Sequence, residues 1–363
     1  MRLYKKVGKI MQRGRIEEIV YMRSFAMLAV VMIHTSAMTY HIIDPSFGSY
    51  PIYEFLNRFF RYGTATFIFI TGLVMFYGYI DRPLHKGFFS KYFRNRFMYI
   101  FTPYVVWVVL YEIHTWLSIR QFDINADYFI ELFQLFFQGN TFYHFYFFFV
   151  LIQLYLLFPL LLYWAQKSLW FVRLLPLIGL VVQSAVYVTD YFYSWLPFAT
   201  SYFFSYLFFF NLGGFVGLYY GQIKRLFKIR MAWLFATAMM LIGLLYVYMH
   251  HLVRWDLNEF ATVYLDFMYM TFSSLSAMTI LVVMHFVAKR RFNWFRQLGV
   301  YSFGIFLVHP MVINYLDYWL VWEGSYLFHI GMVLRFMLTI AISFTIVYLI
   351  KRYIPYSAYI VGR

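Results

Sequence analysis

The sequence predicts an all-α fold, a polytopic transmembrane bundle of about ten helices with both termini cytoplasmic, and three observations predict it. Of the 363 residues, 63% are hydrophobic and 12% charged, against roughly 45–50% and 25% in soluble domains, so a soluble fold is excluded. Apolar runs of about 20 residues, the length that crosses a bilayer, recur near 19–40, 62–80, 98–118, 145–165, 174–193, 200–221, 231–250, 262–287, 298–320 and 328–350. The basic residues gather in every second loop, at Arg82 to Arg96, Lys167 to Arg173, Lys224 to Arg230, Lys289 to Arg296 and Lys351 to Arg352. With the basic N-terminus this alternation orients an even number of spans in the cell membrane.

The net charge of +15 is accounted for by this topology signal, and no motif points to nucleic acid. The intervening loops carry Asp44 and Glu54, Asp123, Asp127 and Glu131, and Asp256 and Glu259, and are expected to face outward. Five arginines break the pattern: Arg58, Arg61, Arg120, Arg254 and Arg335. The chain has no cysteine, which excludes disulfides, thiolate zinc sites and a Cys nucleophile. With no repeat and no soluble insertion, residues 1–363 read as a single membrane domain.

Residues 1–18 form a basic cytoplasmic segment, and the apolar run after them is too long for a signal-peptide core, so it is read as a retained first helix. Within it Arg23 and His34 are eleven residues apart; at about 100° and 1.5 Å per residue they share one face, roughly 16 Å apart in height. Arg can grip phosphate or carboxylate and His can take a proton near neutral pH. The same spacing suits a snorkelling anchor and a histidine hydrogen-bonded to a neighbouring helix.

Lys91, Arg94 and Arg96 before the third helix make a cationic patch, fit for lipid headgroups or for a phosphorylated donor. Glu112 and His114 near the outer end of the third helix, Tyr143 and His144 at the start of the fourth and Asp266 in the eighth are candidates for an acceptor vestibule. The ninth helix contains Tyr301, Ser302 and His309-Pro310. Pro310 frees a carbonyl near Phe306, a break tolerated where a cavity or neighbour supplies partners. Two histidines at similar depth in separate helices point to a polar cavity. Arg335, inside the tenth apolar run, needs a partner, and Glu323 or Asp266 are the expected ones. No hydrolase elbow, P-loop or metal-binding motif is present, so no metal is predicted.

Several segments carry a family resemblance: Arg15-Ile-Glu-Glu-Ile-Val-Tyr-Met-Arg23 with His34; Gly63 to Gly72; the basic run ending in Arg96 with Pro103-Tyr104; His144-Phe-Tyr-Phe-Phe; Leu212-Gly-Gly-Phe-Val-Gly217; and Ser302 to Pro310. In this order they resemble the acyltransferase-3 family of integral membrane acyltransferases, and the length is similar to short members that modify exopolysaccharide, such as poly-N-acetylglucosamine O-succinyltransferases. The resemblance implies transfer of an acetyl or succinyl group from cytoplasmic acyl-CoA to hydroxyls of a cell-surface or secreted polysaccharide. It makes His34 the essential histidine and Arg23 its basic partner, with Lys91, Arg94 and Arg96 as donor contacts. His309, Tyr301 and Ser302 are expected near the reacting carbonyl, and Glu112 and His144 towards the acceptor. The lipid bilayer and a polysaccharide synthase complex are the implied partners. Competing readings are a polysaccharide exporter or flippase, whose histidines merely line a path, and a non-catalytic synthase subunit.

Overall fold

The structure is a computed structural model that describes residues 14–119, 126–196, 198–255, 260–320 and 327–362, and every regular element among them is helical. The basic residues before Gly14, and Arg120, Asp123, Asp256, Glu259 and Glu323, lie outside the described residues. The helices in chain order are α1 (Glu18–Ile42), α2 (Tyr50–Phe59), α3 (Tyr62–Tyr79), α4 (Lys86–Arg96), α5 (Thr102–Ile119), α6 (Ala126–Gln138), α7 (Tyr146–Lys167) and α8 (Leu169–Tyr193). They continue with α9 (Leu207–Leu218), α10 (Tyr220–Arg225), α11 (Ile229–Trp255), α12 (Phe260–Lys289), α13 (Asn293–Leu320), α14 (Leu327–Tyr353) and α15 (Ala358–Val361).

Among the described residues nine helical stretches are long and apolar enough to cross a membrane. Two are longer than the hydropathy runs suggest, because α2 leads into α3 and the amphipathic α4 runs through a π-helical turn, Phe97–Phe101, into α5. The sixth predicted span, 200–221, is shorter: only Phe203–Leu218 is apolar helix, with 3-10 turns at Ala199–Ser201 and Phe203–Tyr206 before α9. Two glutamines make that irregular entry possible. Gln153 on α7 donates to the Ser201 carbonyl (2.8 Å) and accepts from the Phe203 amide (3.2 Å), and Gln183 on α8 accepts from the Phe208 amide (3.0 Å). Backbone groups that water cannot reach are thereby satisfied by side chains.

Helix α1 is the hub, packed against α2, α3, α12, α13 and α14. Helices α3 and α9 meet through glycines: a Cβ at Gly213 or Gly217 would overlap the carbonyl oxygens of Phe69 and Leu73, so the small-xxx-small spacing is what lets these backbones touch. At the rim bearing the basic loops, Glu18 takes contacts from Lys224 (3.0 Å) and His285 (2.7 Å), tying α1 to α10 and α12. At the opposite rim Glu54 pairs with His251 at 2.8 Å, and the Tyr53 hydroxyl bonds the ring of His329.

Arg335 has a different partner from those expected. It pairs with Asp317 at 2.6 Å and also bonds Thr39 on α1. Helices α13 and α14 are consecutive and packed together, so the end of one meets the start of the next. Asp266 on α12 is electrostatically linked to Arg61 instead.

Candidate active site

The helices α1 and α13 both begin at the basic rim and run in the same direction. They touch most closely near that rim, where a Cβ at Gly299 would overlap the Val20 carbonyl oxygen and the Ser24 hydroxyl donates to the Phe295 carbonyl at 2.5 Å. His34 and His309 each stand sixteen residues beyond the first residue of their helix, about 24 Å along the axis at 1.5 Å per residue. Equal rise from helix starts at the same rim brings their rings to 5.3 Å between centroids. His34 keeps partial accessibility although α1 is ringed by other helices, so it faces an internal opening.

The backbone decides the tautomer of His309. Its Nδ1 lies 3.1 Å from the Ile305 carbonyl, an acceptor only, so the proton sits on Nδ1 and Nε2 carries a free lone pair. That Nε2 is buried without a partner. The break made by Pro310 in α13 is filled from α5: the Tyr111 hydroxyl donates to the Leu307 carbonyl (3.0 Å) and accepts from the Met311 amide (3.1 Å). A side chain inserted into the ladder is a recognised way to stabilise a kink, and this one sits immediately around His309.

His144 completes the cluster from the turn before α7. It is fully buried with neither ring nitrogen hydrogen-bonded, and its ring lies 5.9 Å from His309, 5.2 Å from Tyr111 and 5.6 Å from Phe306. Its neighbour Tyr143 places its ring 4.8 Å from His34. Among the described residues no group of three or more His, Asp or Glu is arranged to hold a metal.

Towards the basic rim stands Arg23, partly accessible, held by no hydrogen bond or ion pair among the described residues; its electrostatic neighbours are Tyr155 and Arg15. Arg96 comes to the same tyrosine, 4.6 Å above its ring, and reaches the Tyr79 hydroxyl at 3.5 Å. Tyr155 is itself held by the Tyr92 hydroxyl, which donates to its carbonyl at 2.9 Å. Lys91 and Arg94 are exposed on α4; residues two apart on a helix do not share a face, so Arg96 turns inward while Arg94 turns out.

The remaining predicted residues go elsewhere. Glu112 accepts a hydrogen bond from Tyr128 on α6 at 2.8 Å. The buried Ser302 hydroxyl donates to its own helix at Gly299 (2.9 Å). Tyr301 packs on α14, its ring 5.1 Å from Phe344. At the opposite rim the vestibule candidate Asp266 has a partner the sequence did not name: Arg61, at the start of α3, lies against the Tyr246 hydroxyl and near Tyr146 and Tyr269, with Asp266 in electrostatic reach. Arg61 and Asp266 are both exposed, and the Tyr146 hydroxyl reaches Thr64 at 3.4 Å. The sequence signal for this group was Arg61's departure from the basic-loop pattern together with Asp266; Tyr111 and Tyr155 carried little signal among 36 tyrosines.

Compared with known proteins, residues 16–352 match the model of the acyltransferase domain of the acyltransferase-3 family. No curated protein and no solved structure gives a match.

Proposed function

Starting from a chain that belongs to the acyltransferase-3 family of multi-pass membrane acyltransferases, we propose that it transfers an acetyl or succinyl group from cytoplasmic acyl-CoA to hydroxyls of a cell-surface or secreted polysaccharide, in the cell membrane and beside a polysaccharide synthase. The observation that carries this reading is the pair His34 and His309 at one depth, their ring centroids 5.3 Å apart and the Nε2 of His309 without a partner among the described residues, between cationic residues at one rim and Arg61 and Asp266 at the other. Arg23 and Arg96, gathered about Tyr155, suit the phosphates of the donor, with Lys91 and Arg94 on the approach. Arginine presents a planar fork that matches phosphate oxygens. The rise of about 16 Å from Arg23 to His34 directs an extended thioester arm inward. On the other side Arg61, Asp266 and the tyrosines around them offer hydrogen-bonding groups and ring faces to a sugar.

In the transfer, neutral His34 removes the proton of the sugar hydroxyl as its oxygen attacks the thioester carbonyl. The tetrahedral intermediate collapses with cleavage of the carbon–sulfur bond. The departing thiolate takes the proton back from the His34 imidazolium, leaving a sugar ester, free thiol and neutral His34. His309 Nε2, an acceptor in its tautomer, would hold the N–H of the imidazolium while it exists, as its Nδ1–H stays on Ile305. Tyr143 supplies a hydroxyl beside His34 for the developing oxyanion, in place of Ser302, whose hydroxyl is engaged, and of Tyr301, which faces α14. His144 lines the same pocket.

The test is ester analysis of extracellular polysaccharide from cells with the intact protein, with His34→Ala, or with none. Loss of esters in both deficient strains while polymer export continues is the expected result, and the mass lost identifies the acyl group. Intact esters with His34→Ala, and reduced exported polymer only when the protein is absent, would overturn the enzyme reading in favour of an exporter.

A further inference from the structure

Tyr301, not used by the transfer, leads to a second site. Gln297 and Tyr301 are four residues apart on α13, and Phe344 and Tyr348 are four apart on α14, so each pair forms a ridge on one helix face. The two ridges enclose a groove of about 270 Å3 lined by these four side chains. Its walls are aromatic: Tyr301 meets Phe344 edge-on at 5.1 Å, Phe344 stacks with Tyr348 at 6.4 Å, and Tyr301 and Tyr348 are 6.3 Å apart. Its upper edge is cationic. The Lys351 ammonium stands 5.3 Å over the Tyr301 ring, and Arg352 donates to the Tyr348 hydroxyl at 2.6 Å.

Neither Lys351 nor Arg352 forms an ion pair among the described residues. Helix α14 has no acidic residue, and the single one of α13, Asp317, is at the far end with Arg335. The positive charge at the groove is therefore uncompensated. Trp294, Tyr353 and Tyr356 around it are largely exposed, at 68%, 69% and 79%, which is the aromatic belt that marks headgroup level. A volume of 270 Å3 has room for roughly nine water molecules at about 30 Å3 each, enough for a phosphate and its glycerol.

We propose that the groove between α13 and α14 binds an anionic phospholipid, its phosphate held by Lys351 and Arg352, its glycerol against Gln297 and the tyrosine hydroxyls, and its acyl chains running down Phe344. The occupant is a lipid and not a soluble phosphate, because the groove opens where aromatic belt and hydrocarbon meet and its floor is apolar. The site stands on α13, the helix of His309, so the lipid packs against one wall of the catalytic pair from outside. It does not depend on what the histidines do.

The experiment is native mass spectrometry of the full chain released from nanodiscs containing equal phosphatidylglycerol and phosphatidylcholine of identical acyl chains. The intact protein is expected to retain phosphatidylglycerol preferentially, and the double variant Lys351→Gln, Arg352→Gln to lose that preference by roughly tenfold. Arg225→Gln, which removes charge from the same rim outside the groove, is expected to leave it unchanged, and a thermal melt of each variant establishes that it is folded. Equal retention of both lipids by the intact protein, or equal loss in the Arg225 variant, would overturn the site. Displacement of the lipid by millimolar sn-glycerol 3-phosphate would overturn the lipid as occupant.

Discussion

Arg335 and Arg23 are both arginines inside apolar helices, and the two regions treat them in opposite ways. At the opposite rim Arg335 is 2% exposed and engaged by Asp317 and Thr39; near the basic rim Arg23 is partly accessible and has neither an ion pair nor a hydrogen bond among the described residues. The histidines divide likewise. His285, His251 and His329 have carboxylate or hydroxyl partners at the rims, whereas His34, His144 and the Nε2 of His309 have none at mid-depth. A buried polar group without a partner costs about 1–3 kcal/mol; among the described residues others such as Asn211 and Ser273 are also unsatisfied, and what sets the central file apart is that its unsatisfied groups are titratable imidazoles lying ring to ring.

The contrast can be broken most forcefully at Arg335. Arg335→Leu leaves the half-buried Asp317 and the buried Thr39 without their partner, and a loss of about 3 kcal/mol in stability is expected, seen as a lower melting temperature and a smaller folded fraction, with specific activity per folded molecule retained. Gly299→Ala comes next. Its Cβ pushes α1 off α13 at Val20, and since a displacement of about 1 Å at reacting groups can cost on the order of 100-fold, ester formation should fall by that order while the protein still folds. Arg23→Gln should raise the KM for acyl-CoA about tenfold, the worth of one charge-assisted hydrogen bond, and leave the melting temperature unchanged; a large destabilisation would place Arg23 with Arg335. Smallest is Ser302→Ala, expected to change kcat by less than about twofold because its hydroxyl only bonds its own helix. A loss of 100-fold there would restore Ser302 to the oxyanion.

What could be read in advance follows from the cost of charge in hydrocarbon. Ionisable groups are rare in such helices, so Arg23, His34, His309 and Arg335 stood out singly, and one-helix geometry placed Arg23 and His34 on a common face. Relations between helices were not readable. Nothing in the chain marks Asp317 rather than Glu323 as the partner of Arg335, because that depends on the register of α13 against α14. Ser302, seven residues before His309, shares nearly the same face, yet it lies about 10 Å lower along the axis, with its hydroxyl on its own helix at Gly299. Tyr111 and Tyr155 were hidden by abundance, since a tyrosine that clamps a kink looks like one that packs in a core. The short α9 was concealed for a related reason, as the residues of its irregular entry are as apolar as those of a helix.

That entry has a consequence for biogenesis. Helix α9 has twelve residues, about 18 Å of helix where a bilayer core is about 30 Å thick, so an inserting chain gains too little from it alone to hold it across the lipid. The Ser201 carbonyl and the Phe203 and Phe208 amides at its entry are answered by Gln153 and Gln183, and Gly213 and Gly217 fit against α3, well over a hundred residues earlier. The sixth crossing is thus completed by helices made before it, and its stable insertion waits on them.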